Sequence, residues 1–146
     1  MIARRFAVVA AAVFLFTGTA TGYDFQVGDL LITHPWARAT AAPGTPGTGY
    51  LVIENTSAED DRLLGAVSPV AARTELHRTV IEDGIARMRP ARDGVALPAG
   101  TTVELAPGGY HFMLIDLGAA LTAGTHVPLT LHFERAGEIT VELSVE

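Results

Sequence analysis

The sequence contains no cysteine. No disulfide can therefore brace the fold, and no thiolate can serve as nucleophile or metal ligand. The thioether-linked lipid of an acylated lipoprotein has no residue to attach to either. Lysine is also missing: all ten basic residues are arginine, set against 16 acids for a net charge of −6. So acidic a chain is a poor partner for nucleic acid or anionic lipid, and neither is expected.

Long apolar runs are scarce. The exception, "FAVVAAAVFLF" (6–16), follows Arg4 and Arg5 and precedes the small residues "TGTATG", with Ala20 and Gly22 placed for cleavage before Tyr23. This is the pattern of a secretory signal peptide, residues 1–22. The run falls short of the roughly 20 residues a membrane span needs, and no later segment is a better candidate, so no membrane span is expected. Residues 23–146 then form one exported β-domain of 124 residues, with the bacterial periplasm as its address. That length suffices for a core without cross-links. With Arg4 and Arg5 removed, eight arginines face 16 acids, a net charge near −8.

A helical stripe of useful length is absent too. Short β-rich runs recur instead, near 29–34, 48–54, 62–68, 73–81, 85–89, 101–105, 109–116, 127–134 and 138–145. Turn residues separate them, as in "AAPGTPGTG" (41–49), "ENTSAEDD" (54–61), "ARDG" (91–94) and "APGG" (106–109). The spacing predicts an all-β single domain, a Greek-key sandwich or small barrel. Pro128 marks its run as an edge strand or a strand start. In the last run Ile139, Val141 and Leu143 are expected to face inward, and Thr140, Glu142 and Ser144 outward.

Methionine is scarce as well. Beyond the signal segment only Met88 and Met113 remain, and each lies near a histidine. In "GGYHFMLIDL" (108–117) strand alternation puts His111 and Met113 on one side, and Tyr110, Phe112 and Leu114 on the other. In "ELHRTVIEDGIARMRP" (75–90), Asp83-Gly84 suits a two-residue hairpin turn. That register sets Met88 opposite Thr79 and His77 opposite Pro90, so Met88 shares a face with His77, one diagonal step away. A slip of one residue would turn it to the other face.

Two imidazoles and two thioethers form a donor set suited to Cu(I). Thioether sulfur is soft and carries no proton, which favours Cu(I) over hard cations and over zinc. Taken singly, a strand methionine is core filler and a lone histidine an ordinary polar side chain. Taken together, both methionines of the domain fall on the face of a histidine. His77, Met88, His111 and Met113 are therefore the candidate metal ligands.

The segments "HPWARAT" (34–40), "GYLVIEN" (49–55), "ELHRTVIEDGIARMRP" (75–90), "LPAGTTVEL" (97–105), "PGGYHFMLIDL" (107–117) and "VPLTLHFERAGEITVE" (127–142) closely resemble the periplasmic PCu(A)C copper chaperones. Those proteins are similar in carrying H-x10-M-x21-H-x-M. Here ten residues separate His77 from Met88, and 22 separate Met88 from His111, with the extra one placed in the "ARDG" turn. Thr79 occupies a position where relatives often carry another methionine. The resemblance implies a cupredoxin-like fold and a Cu(I) site. It further implies delivery of copper to the apo copper-centre domain of respiratory cytochrome oxidase. No sequence feature requires a second copy and none suggests catalysis, so a monomer that is not an enzyme is expected. The alternative is a periplasmic copper storage or scavenging protein with no dedicated recipient.

Other features weigh less. An electron-transfer cupredoxin would need a Cys thiolate and is excluded. "GTPGTG" (44–49) lacks the lysine and the following helix of a phosphate loop. No nucleophile elbow or paired carboxylates stand out, so catalysis has no candidate. His34, His126 and His132 read as surface histidines at strand margins or outward positions, any of which could act as a weak secondary ligand; Trp36 reads as core or rim packing. Arg73, Arg78, Arg87, Arg89 and Arg92 gather around the hairpin, with Arg78 opposite Arg89. They form either a solvated face relieved by Glu75 or Glu82, or a docking patch for an acidic partner.

Overall fold

The computed structural model describes residues 24–146; the expected signal segment lies outside the described residues. These form eleven strands: β1 (Phe25–Val27), β2 (Leu30–Ala37), β3 (Gly47–Asn55), β4 (Asp61–Val67), β5 (Ala71–Glu82), β6 (Ile85–Pro90), β7 (Val95–Leu97), β8 (Thr102–Leu105), β9 (Tyr110–Leu117), β10 (His126–Phe133) and β11 (Gly137–Val145). No helix is present among the described residues, as the missing 3.6-residue periodicity anticipates.

The strands run in the order β6-β5-β9-β3-β2-β11-β10-β4-β7, with β1 added to β2 and β8 to β3. Neighbours such as β5 and β9, or β2 and β11, are far apart in sequence, which is Greek-key rather than meander connectivity. All pairings are antiparallel except β11 with β2. β4 also meets β5, so the long sheet folds over on itself. Its concave side encloses a single apolar cluster that includes Ile53, Leu63, Phe112, Leu114, Leu129, Leu131, Val141 and Leu143.

Alternation explains which residues fill that core. On β9, Phe112 and Leu114 are fully buried in the apolar cluster, while His111 and Met113 project from the other face of the sheet. On β11, Val141 and Leu143 are buried while Thr140 and Glu142 are exposed, as expected from their spacing.

Two strands were not anticipated. β1 and β7 span three residues each, too few for a periodic signal. β2 runs on to Ala37, past the expected end at 34, because a register shift between Thr33 and Trp36 absorbs "HP" as a bulge. His34, at φ 48°, sits in that bulge and not at a strand margin. Pro128 is not on an edge strand either. It lies in β10 between β11 and β4, near the strand start, and the β4 pairing begins only at Thr130. Its missing N–H therefore costs no ladder bond.

Candidate metal centre

The β5–β6 hairpin turns through Asp83 and Gly84, whose φ values of 52° and 75° are those of a primed two-residue turn. The register follows from that turn: Thr79 pairs with Met88, Arg78 with Arg89 and His77 with Pro90. The other edge of β5 pairs with β9, placing His77 directly opposite His111 and Glu75 opposite Met113. His77, Met88, His111 and Met113 therefore share one face of the β6-β5-β9 segment.

The two imidazoles are adjacent, with ring centroids 5.8 Å apart. Their hydrogen bonds fix their tautomers. Glu75 Oε2 accepts from His77 Nε2 at 2.8 Å, which leaves the lone pair on Nδ1. The Gly109 carbonyl accepts from His111 Nδ1 at 3.2 Å, which leaves the lone pair on Nε2. Both lone-pair nitrogens, His77 Nδ1 and His111 Nε2, are buried without a hydrogen-bond partner. An orphaned buried acceptor is costly in a native fold, and two on adjacent rings mark a place for a shared electrophile.

Electrostatics act in the same sense. Burial pushes the His111 imidazole below its ordinary range, so the ring stays neutral and its nitrogen free to bind. The hydrogen bond from His77, reinforced by Arg73, holds Glu75 below the usual carboxylate range. An ionised Glu75 can only accept, which keeps His77 in the tautomer described.

The thioethers differ in setting. Met88 is 54% exposed on the edge strand and lines, with His111 and Thr79, an open cavity of about 400 Å³. Loop residues 38–41, Thr45 and Pro46, Thr48 and Tyr50 of β3 and the turn at Pro107–Gly108 form its other walls. Met113 lies outside that cavity on the same sheet face, half-buried two residues along β9 from His111. Three rotatable bonds give its sulfur reach along the strand toward the histidine pair. Tyr50 of β3 stands beside His111, with centroids 6.5 Å apart, and Trp36 stacks on Tyr50 at 4.5 Å, a rim position.

Sequence reasoning offered Glu75 only as relief for the arginine face, and the structure turns it instead to the ligand face, where it pairs with Arg73 and holds His77; "ELH" carried the signal, since residues two apart on a strand share a face. His126 is exposed, and His132 projects outward to Glu138 Oε1 at 2.9 Å, both as expected. No group of three or more His, Asp or Glu side chains is placed to hold a metal among the described residues. The donor set available is soft, two nitrogens and two sulfurs, and not the oxygen cage of a hard cation.

The candidate donors are thus a histidine pair and two thioethers on the outer face of one curled all-β sheet, the arrangement expected of a soft-metal carrier. The profile of the LpqE-like lipoprotein family matches residues 30–145, and the chain belongs to this family, which is that of the PCuAC domains. A lipoprotein of Leifsonia xyli subsp. xyli, Lxx21020, is 34% identical over 121 residues, 83% of this chain and 72% of its own. Among solved structures, the copper-bound PCuAC domain from PmoF2 is 31% identical with a TM-score of 0.71, covering 85% of this chain and 97% of that one. The Cu(I) form of DR1885 from Deinococcus radiodurans is 27% identical with a TM-score of 0.60, covering 87% and 83%. The fold is thus the cupredoxin-like one that the resemblance implied.

Proposed function

We propose that this protein is an exported Cu(I) carrier that holds the ion on His77 Nδ1, His111 Nε2, Met88 Sδ and Met113 Sδ. It acts as a monomeric metallochaperone in the periplasm, not as an enzyme. The observation that carries this reading is the pair of buried, unpartnered ring nitrogens on facing strands, with both thioethers of the described residues on the same sheet face. The likeness to copper-bound and Cu(I) relatives supports the choice of ion.

The geometry suggests an order of release. The histidines are held by Glu75 and by a main-chain carbonyl, so they stay in place. Met88, on an exposed edge strand with no such restraint, is the first donor to leave. An incoming ligand from an acceptor would replace it, and stepwise exchange would then draw the ion away. The recipient, by family resemblance, is the binuclear copper centre of respiratory cytochrome oxidase.

The test is Cu(I) competition against a chelator, paired with transfer to an apo oxidase copper-centre domain. Met113→Leu keeps side-chain volume and should leave the fold intact, while lowering Cu(I) affinity at least tenfold. Undiminished affinity would remove Met113 from the site. Retention of copper in the presence of the acceptor would turn the reading to storage.

A further inference from the structure

We infer that a second cavity, on the opposite face of the β5–β6 hairpin, is a docking socket for an acidic segment of the protein that receives the copper. The inference rests on the carrier reading above. The cavity has a volume of about 320 Å³, and the side chains of Arg62, Arg78, Arg89 and Arg92 converge on it from β4, β5, β6 and the loop after β6. Asp93 is the one acid among its lining residues.

Little of that positive charge is neutralised. Arg62 Nη1 donates to the main-chain carbonyl of Asp93 at 2.8 Å, not to a carboxylate. The Arg78 guanidinium lies over the Tyr110 ring, 5.9 Å from its centroid. Among the described residues Arg78 and Arg92 form no ion pair, whereas Arg89 is held by Glu82 at 2.6 Å, and Arg87 and Arg73 also have carboxylate partners. Arg78 and Arg89 are directly paired across the hairpin, an arrangement of like charges that opposes folding. Half of the domain's eight arginines thus meet in one place, in a protein with 16 acids. Nothing in the core or the strand pairing requires this.

Its position ties the cavity to copper release. β6 is the edge of the sheet, and all six of its residues are exposed. Arg87 and Arg89 flank Met88 on it and point to the other face. A partner seated on this edge would place its acidic side chains among the arginines and its own copper ligands near Met88. The exposure of Arg78, Arg89 and Arg92 fits several carboxylates held through water-screened contacts better than one enclosed small anion. Such complementarity acts mainly on the rate of encounter.

The test uses the full Cu(I)-loaded chain, a fluorescein-labelled decaglutamate peptide read by anisotropy, and amide NMR shifts to locate contacts. Decaglutamate should bind at low salt, shift the amides of Arg78, Arg89 and Arg92, and weaken as salt rises, while decalysine should not bind. Arg78→Glu should weaken peptide binding at least tenfold, and the milder Arg92→Gln severalfold, with Cu(I) affinity by chelator competition unchanged in both. Peptide binding that is unaltered in both variants, or that maps elsewhere, overturns the socket. Inorganic phosphate producing the same shifts at submillimolar concentration overturns it in favour of a small-oxyanion site. Failure of the parent protein to bind Cu(I) is a separate result that sinks the carrier reading, since the two faces are assayed independently.

Discussion

Glu75 shows how much one residue outside the donor set can decide. Its carboxylate accepts from His77 Nε2 and also meets Arg73 Nε at 3.1 Å, so the ring, its tautomer and its orientation are set together. Partners of this kind tune metal affinity by roughly 10–100-fold. In Glu75→Gln the amide can donate as well as accept, and the tautomer is no longer enforced. Cu(I) affinity should fall about tenfold by chelator competition, with little change in thermal midpoint because Glu75 lies at the surface. His111 needs no such helper, since a main-chain carbonyl two residues back performs the same task.

The elements are positioned by turns, and the turn after β6 is the least forgiving. Gly94 has φ +73°, and a Cβ there would lie 2.3 Å from the Leu63 carbonyl oxygen. Its N–H closes a turn on Ala91 at 3.0 Å, which brings β7 alongside β4. Gly94→Ala combines a left-handed backbone with a main-chain clash. It should cost at least about 2 kcal/mol in urea unfolding, with His77, Met88, His111 and Met113 themselves untouched. "ARDG" is also where the extra residue between Met88 and His111 was assigned. The hairpin register, by contrast, followed from Asp83-Gly84 alone, because a two-residue primed turn allows only one pairing. β1 and β7 escaped notice for the opposite reason: three residues give no period to read, and only their neighbours make them strands.

For the whole molecule, the orphaned ring nitrogens imply that the apo fold forgoes stability which the ion restores. A ligand that binds only the native state adds about 2.7 kcal/mol at a free concentration of 100 Kd. Cu(I) under reducing conditions should therefore raise the thermal midpoint by several degrees. Zn(II) at the same concentration should raise it far less, because thioethers are poor zinc ligands. An equal shift with both ions would mean that the histidines alone make the site.

The sequence by itself determined each local alternation: which side of β9 carries His111 and Met113, which side of the hairpin carries His77 and Met88, and that the described domain is all-β. These are one-dimensional properties, set by a period of two and by turn chemistry. Only the tertiary structure decided that β5 lies between β6 and β9, because strand order depends on how a curled sheet closes over its core, and no local signal encodes it. That choice set His77 against His111, and the folding of the sheet over on itself brought Arg62 of β4 to the arginines on the reverse face of the hairpin.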